Sequence, residues 1–597
     1  MAAHSVITRS LWAGIGVAVL IAVAGCSFGG GSNRPSPAPS TAAPVLDTSP
    51  CAGPNGVGGK VPAGVGPGDL VAAVDLTEAN SGSLGFPTGA RVWRVLYVTT
   101  GVDETDLQLV CGMVASSADG PRLFGSTGRL VNRTHGTVGI SQSCLPSSNP
   151  ASLFWGPTPG GMNAVSWGSL FGAHKGDAAG GMLQSELDAG MLVTATDYFP
   201  DTSYVVGKME ASAALDIARA GTQLMLETFT QTAPESYDMV IWGHSQGGHG
   251  AIWAGQLAES YLAAMHPVKP TAAIRLVGVA ALAPASNFIT LPDQPGVAPG
   301  DGLADWEMHQ NAGLDLPIQS VQLQIGPALV SYIFGSWSQL AAGVAPGASA
   351  AFPAYPVSPT ALELSTIVTP TPGMGTVSSV EGLCLTGAEA KQVKAVVEPY
   401  ENAKLQQMLV PPVWNLPADY TTPGQYFKGG LDTTCATTAD TGIVRWCDWL
   451  RFNLPGPLGI NPYPKAPIVA GAPVPLFIAQ GSADNVVHCI SPVDTPSDVV
   501  PGPADCMARA LYDSLADAEY CPAGAARGHL ELNTVRMVPF TSPATHLSLP
   551  GEVTARSLSK DPAELVFAGS PLDTFITAAF DGTTTPGCSL RVLNPAN

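Results

Sequence analysis

Tyr237-Asp-Met-Val-Ile-Trp-Gly-His-Ser-Gln-Gly-Gly-His249 opens on an apolar run of strand character and breaks at Gly243-His-Ser-Gln-Gly247. It then passes into a proline-free stretch of helical spacing from Gly247 to Ala258. This is the form of a nucleophile elbow, in which a serine occupies a strained strand-to-helix turn. The flanking glycines follow from sterics, because a Cβ at either position would collide with the neighbouring strand or helix. Ser245 would then stand exposed at the sheet edge. In a chain with 67 glycines among 597 residues, chance supplies the five-residue pattern about once in every two such chains. The apolar strand before it and the helical stretch after it therefore carry the assignment.

Upstream, Arg91 to Thr99 and Leu107 to Ala115 read as an opening antiparallel pair, and Gly128 to Thr134 as a strand running into His135-Gly-Thr-Val-Gly139. Gly190 to Thr196 reads as a strand, Val206 to Thr230 as a long helix, Met239 to Trp242 as the strand entering the elbow, and Ile274 to Leu282 as the strand after it. Strands alternating with helices imply a parallel sheet with crossovers. The rhythm stops from 286 to 471, a region rich in Pro and Gly with helical patches at Ala328 to Val344 and Gly387 to Leu409, and resumes at Val474 to Gln480 and Leu530 to Val538. The expected fold class is α/β, an α/β-hydrolase with an eight-stranded, mostly parallel sheet and a large, mainly helical cap inserted after the sixth strand. Residues 51–285 and 472–597 form the two parts of the core, and 286–471 the cap.

A serine hydroxyl is a poor nucleophile near neutral pH, so an imidazole must take its proton and a carboxylate must orient that imidazole. In this fold the order along the chain is Ser, acid, His. Asp484 in Ala479-Gln-Gly-Ser-Ala-Asp484 lies just past the seventh strand, where the catalytic groups of open α/β sheets gather, whereas Asp494 and Asp505 lie further along the loop. Of the histidines that follow, His546 comes after the final strand, while His488 and His529 precede it. Ser245, Asp484 and His546 are thus the expected catalytic residues. His244 and His249 flank the elbow and are expected to pack or to hydrogen-bond behind it. The negative charge of an acyl-transfer intermediate needs preorganised N–H donors. The backbone of Gln246 is one candidate, and the loop at Gly136 and Thr137 supplies the other.

Charged residues make up 12% of the chain, with 26 Lys+Arg against 46 Asp+Glu and a formal charge of -20, and no basic run occurs. That balance argues against a nucleic-acid surface. No C-x-x-C or His/Cys cluster of zinc spacing is present, so neither a metal nor another cofactor is expected. At the start, His4 and Arg9 precede an apolar segment, Leu11 to Ala24, and then Val23-Ala-Gly-Cys26, the order of parts in an export signal. The segment is short for a transmembrane span. Small residues before Cys26 resemble a bacterial lipobox, which implies removal of 1–25 and lipidation of Cys26; a plain signal peptide and a secreted protein are the alternative. Residues 26–50 have the Pro/Ser/Gly composition of a tether. An acyl anchor at Cys26 would hold the folded part beside the outer face of the cell membrane. Setting Cys26 aside from the 11 cysteines leaves ten, an even number suited to disulfides in an exported chain.

The chain resembles the secretory lipase family of the yeast lipase A type, α/β-hydrolases that cleave acylglycerols and other carboxylic esters. The likeness is strongest from Gly190-Met-Leu-Val-Thr-Ala-Thr-Asp-Tyr198 through Trp253-Ala-Gly-Gln-Leu-Ala-Glu-Ser-Tyr261. It recurs at Thr137-Val-Gly, Cys144-Leu-Pro-Ser147, Gly382-Leu-Cys384, Thr545-His-Leu547 and Ala579-Phe-Asp-Gly-Thr-Thr584. The resemblance places the nucleophile on Ser245, the acid on Asp484, the base on His546 and the oxyanion loop near Gly136 and Thr137. It also implies bridges from Cys144 to Cys384 and from Cys521 to Cys588. Sequence proximity then leaves Cys435 with Cys447, Cys489 with Cys506, and Cys51 with Cys111. The function implied is hydrolysis of lipid or other carboxylic esters through an acyl-enzyme on Ser245, with the cap aromatics Tyr332, Phe334 and Trp337 forming either an acyl-binding wall or the cap's own core. An acyltransferase with the same triad and a catalytically silent surface-binding protein are the alternatives.

Overall fold

The computed structural model describes residues 50–77, 89–139, 146–148, 182–199, 203–286, 448–484, 507–535 and 568–593, a few positions within these excepted, together with short or isolated positions that include Tyr332, Ser336, Val486, Val487, Ala544 and His546. The signal segment, Cys26, the tether and most of the expected cap, with Phe334 and Trp337, lie outside the described residues.

A ten-stranded sheet runs through the molecule. In chain order its elements are β1 (Leu70–Asp75), β2 (Ala90–Thr100), β3 (Leu107–Ser117), β4 (Gly128–Thr134), α1 (Met182–Asp188), β5 (Leu192–Thr196), α2 (Gly207–Thr228), β6 (Ser236–His244), α3 (Gln246–Ala264) and β7 (Ala273–Leu282). After the insertion come β8 (Leu476–Gly481), α4 (Met507–Leu515), β9 (His529–Val535), α5 (Pro571–Asp581) and β10 (Gly587–Leu593). The strands lie in the order β1-β2-β3-β5-β4-β6-β7-β8-β9-β10. Pairing is antiparallel from β1 to β5 and parallel from β5 to β10. The exchange of β4 and β5, with parallel strands beyond it, is the α/β-hydrolase arrangement. The sheet has two strands more than the eight expected. Both extra strands, β1 and β10, are edge strands with partly exposed residues and a weak apolar signal.

The central strands are apolar because both faces are covered, as parallel sheets require. Every residue of β8 is buried, as are the last six of β6. Helices α2 and α3 pack against one another, with Trp253, Ala254 and Leu257 of α3 in the same apolar core as Met209, Leu215 and Leu224 of α2. Within the insertion, Asp315–Ile318 and Val321–Gln324 form an antiparallel ribbon. Its final part, 448–471, runs along α3: Trp253 Nε1 donates to the Asn453 carbonyl at 3.0 Å, and Gln256 donates to Pro464 O at 2.5 Å while accepting from Gly456 N at 3.0 Å. Trp449 stacks on Phe452, whose ring also meets Trp253. Tyr332 is buried with its ring 5.7 Å from that of Tyr204.

Two disulfides join described residues, Cys51 to Cys111 and Cys521 to Cys588. Both are among the pairings expected above, whereas the other three pairings involve residues outside the described set. The first clamps the segment before β1 onto β3, where Cys51, Val57, Leu96, Val98, Leu109 and Cys111 share a small apolar cluster. Asp69, in the same segment, accepts from Gly66 N and from Val268 N and Lys269 N ahead of β7. The second ties the turn after α4 to the edge strand β10. Replacing Cys521 and Cys588 together by Ser opens a closed loop of 67 residues. Chemical denaturation should then show a loss of about 2–4 kcal/mol in unfolding free energy.

Candidate active site

Because β4, β6, β8 and β9 are mutually parallel, their C-terminal ends and the loops that follow share one edge of the sheet. Those loops carry His135 and Gly136, Ser245, Asp484, and His546, so the topology alone gathers the expected residues. Ser245 sits between β6 and α3 with φ 60°, a left-handed conformation unusual for a residue with a side chain. The turn is pinned on both sides: Ser245 N donates to Leu282 O at the end of β7 (2.8 Å), and Ser245 O accepts from His249 N (3.1 Å) to begin α3. A Cβ on Gly243 would run into Thr134 Oγ1 and Gly247 O, and one on Gly247 into Thr134 O, both far inside van der Waals distance. Close approach, rather than positive φ, is therefore what requires glycine at these two positions.

His546 Nε2 lies 2.9 Å from Ser245 Oγ and His546 Nδ1 lies 2.8 Å from Asp484 Oδ2. The carboxylate can only accept, so Nδ1 carries the proton, and Nε2 is left as the acceptor for the serine hydroxyl. Asp484 is fully buried and His546 nearly so. Three further donors satisfy the carboxylate: the Val486 and Val487 N–H groups at Oδ1, both at 2.9 Å, and Gln480 Nε2 at Oδ2, 2.7 Å. Gln480 had no sequence signal beyond its place four residues before Asp484. The His244 ring packs 4.6 Å from that of His546. Burial and the nearby His546 hold its imidazole well below the usual 6.5, and it stays neutral.

The end of β4 reaches the elbow through Thr134, whose hydroxyl lies 2.8 Å from Gly247 O and 3.0 Å from Trp242 O. A Cβ at Gly136 would stand 3.7 Å from Ser245 Cβ, which places that glycine directly against the nucleophile. His135 packs on Tyr198 with ring centroids 4.3 Å apart, and Tyr198 OH donates to His135 O. Burial pushes the His135 imidazole below its usual 6.5 and keeps it neutral, with its Nδ1 donating to Gly136 O at 2.6 Å. The Thr137 hydroxyl bonds Tyr204 OH at 2.9 Å, and Tyr204 N donates to Ser336 Oγ. Gln246 opens α3, where the first-turn N–H groups have no carbonyl one turn back to bond.

Residues 176–292 match the family model described as Secretory lipase. The matched segment runs from just before α1 through β7, so it contains the elbow and the two helices behind it but neither Asp484 nor His546. No curated protein matches the chain. Among solved structures the chain is similar to Candida antarctica lipase A in its closed state, at 14% identity and a TM-score of 0.44 over 87% of this chain and 84% of that one. It is also similar to the rice cell wall degrading esterase LipA of Xanthomonas oryzae, at 16% identity and a TM-score of 0.42 over 79% of this chain and 91% of that one. The fold assignment rests on the strand order itself.

Asp197, inside the matched segment, holds Ser147 through both the backbone N–H (2.8 Å) and the hydroxyl, while Arg94 donates twice to Ser147 O. Burial raises the Asp197 carboxyl from 3.8 to about 6. A raised carboxyl favours the folded state fully below its unfolded value, and that contribution is lost as pH rises through the folded value. Asp197→Asn should therefore flatten the decline of the unfolding temperature between pH 3.8 and about 6. Parallel thermal melts of the two proteins would show it. Gly247→Ala, which drives a methyl into Thr134 O, should destabilise by about 3 kcal/mol or prevent folding, as read from denaturant midpoints.

Proposed function

We propose that the protein is a serine hydrolase that cleaves carboxylic esters, of lipids above all. The single observation that carries this reading is the continuous hydrogen-bonded line from Asp484 through His546 to Ser245 at the elbow. In the reaction Ser245 Oγ attacks the ester carbonyl while His546 Nε2 takes its proton. The imidazolium so formed faces the Asp484 carboxylate, which keeps its own charge and is held by three N–H donors. The alcohol leaves with the proton from His546, and an acyl group remains on Ser245. Water, activated by the same imidazole, then attacks the acyl carbonyl and returns Ser245 to its starting state. In the tetrahedral intermediates the oxyanion lies against the N–H of Gln246 and the loop at Gly136 and Thr137.

Export suits this role. The N-terminal segment ending at Cys26 reads as a lipoprotein signal, and the two disulfides are those of an oxidising compartment. Anchoring through an acylated Cys26 would place the site beside a lipid surface. Among the described residues no helix is long and apolar enough to cross a membrane, and no His/Cys/Asp/Glu cluster could hold a metal ion.

Hydrolysis of nitrophenyl esters of increasing chain length tests the reading, with a fluorophosphonate probe to report the nucleophile. Wild type should turn over ester and label at Ser245, and Ser245→Ala should do neither. Asp484→Asn should keep its fold yet lose about 10⁴-fold in kcat, because the amide favours the wrong imidazole tautomer. A folded wild type that neither turned over nor labelled would favour a silent binding protein, and a product carrying an added alcohol would favour acyl transfer.

A further inference from the structure

Behind the elbow lies a fully buried polar group that the triad does not use. Glu210, in the first turn of α2, accepts from Val205 N (3.0 Å) and from Gln246 Nε2 (2.8 Å) at Oε1, and its Oε2 lies 2.8 Å from His249 Nδ1. On its other side His249 Nε2 lies 2.9 Å from the carbonyl of Asn453, which also accepts from Trp253 Nε1. Glu210 and His249 are both completely buried. Each imidazole nitrogen thus faces an acceptor, whereas a neutral imidazole has a single N–H to give. Either His249 carries two protons beside a carboxylate, or its ring is neutral and the second proton sits on Glu210. Both arrangements give a pair of zero net charge. That neutrality matters here, because an uncompensated buried carboxylate close to the elbow would oppose the negative charge that ester cleavage builds there.

Gln246 is the residue after Ser245, and its side chain is tied to Glu210 while its backbone N–H opens α3. We propose that Glu210, paired with His249, is a positioning residue that fixes Gln246 and thereby aims the backbone N–H that receives the oxyanion. The inference rests on the ester-hydrolase reading of this same site. It also gives the stretch around Asn453 a role: by accepting from His249 and Trp253, and by accepting Gly207 N on its own side chain at 3.1 Å, Asn453 locks the pair between α2 and α3.

Three variants test it on a nitrophenyl ester, with thermal melts to establish folding. Gln246→Leu removes only the tether and should lower kcat about tenfold or more with KM within about twofold, as misplacement of a transition-state donor does. Glu210→Leu should lose at least as much. Glu210→Gln should recover most of that loss, because its carbonyl can accept from Val205 and Gln246 while its amide donates to a singly protonated His249. An active wild type with an unchanged kcat in Gln246→Leu, or a loss confined to KM, would overturn the inference alone. So would a Glu210→Gln enzyme as impaired as Glu210→Leu when both fold. A wild type that turns over no ester would overturn the ester-hydrolase reading and the inference with it.

Discussion

The left-handed backbone at Ser245 is the constraint on which the rest of the structure depends. A residue with a Cβ in that conformation costs of order 1–3 kcal/mol and persists only where its surroundings leave no alternative. Here the surroundings act from every side. The end of β7 accepts the serine N–H, the hydroxyl of Thr134 bridges the carbonyls of Trp242 and Gly247, and two glycines allow β4 and α3 to come within reach of the turn. Three of the neighbouring elements must be in register before the serine can be displayed. The strain and the parallel sheet are therefore parts of one solution.

The same edge of the sheet is kept in order by buried polar groups rather than by apolar packing alone. Asp484, Asp197 and Glu210 are all shielded from water, and each is matched by donors from another part of the chain. Burying a carboxylate is unfavourable unless its oxygens are satisfied, so each of these groups accepts only a narrow set of backbone positions. This explains how loops as far apart in sequence as 146–148, 245–246 and 484–487 hold positions within hydrogen-bond tolerance. Apolar contacts set the overall packing of α2 and α3, and the carboxylates set the register of the loops above them.

Much of this was legible in the sequence because the governing signals are local. The elbow is written in five consecutive residues, and β6 and β8 are uninterrupted apolar runs because they are covered on both faces. The order of Ser245, Asp484 and His546 along the chain, each in the loop after a strand, was enough to choose residues that the structure brings into contact. What stayed hidden depends on distant pairing. β1 and β10 are edge strands whose half-exposed residues lack a clear pattern. The stretch from 448 to 471 reads as part of a Pro- and Gly-rich insertion, since its attachment works through backbone carbonyls such as that of Asn453, which any residue could offer. Glu210 sits in an ordinary helical sequence, and only the fold shows that it faces His249 and Gln246.

The clamp between Cys51 and Cys111 has a mechanical meaning. Cys111 lies in β3, paired along its length with β2, and three places along the sheet from β6. Tension applied through the chain ahead of Cys51 would cross a covalent bond into that strand and be shared among its ladder of hydrogen bonds, instead of peeling β1 from the sheet edge. The load would enter the sheet three strands from the one that leads into Ser245.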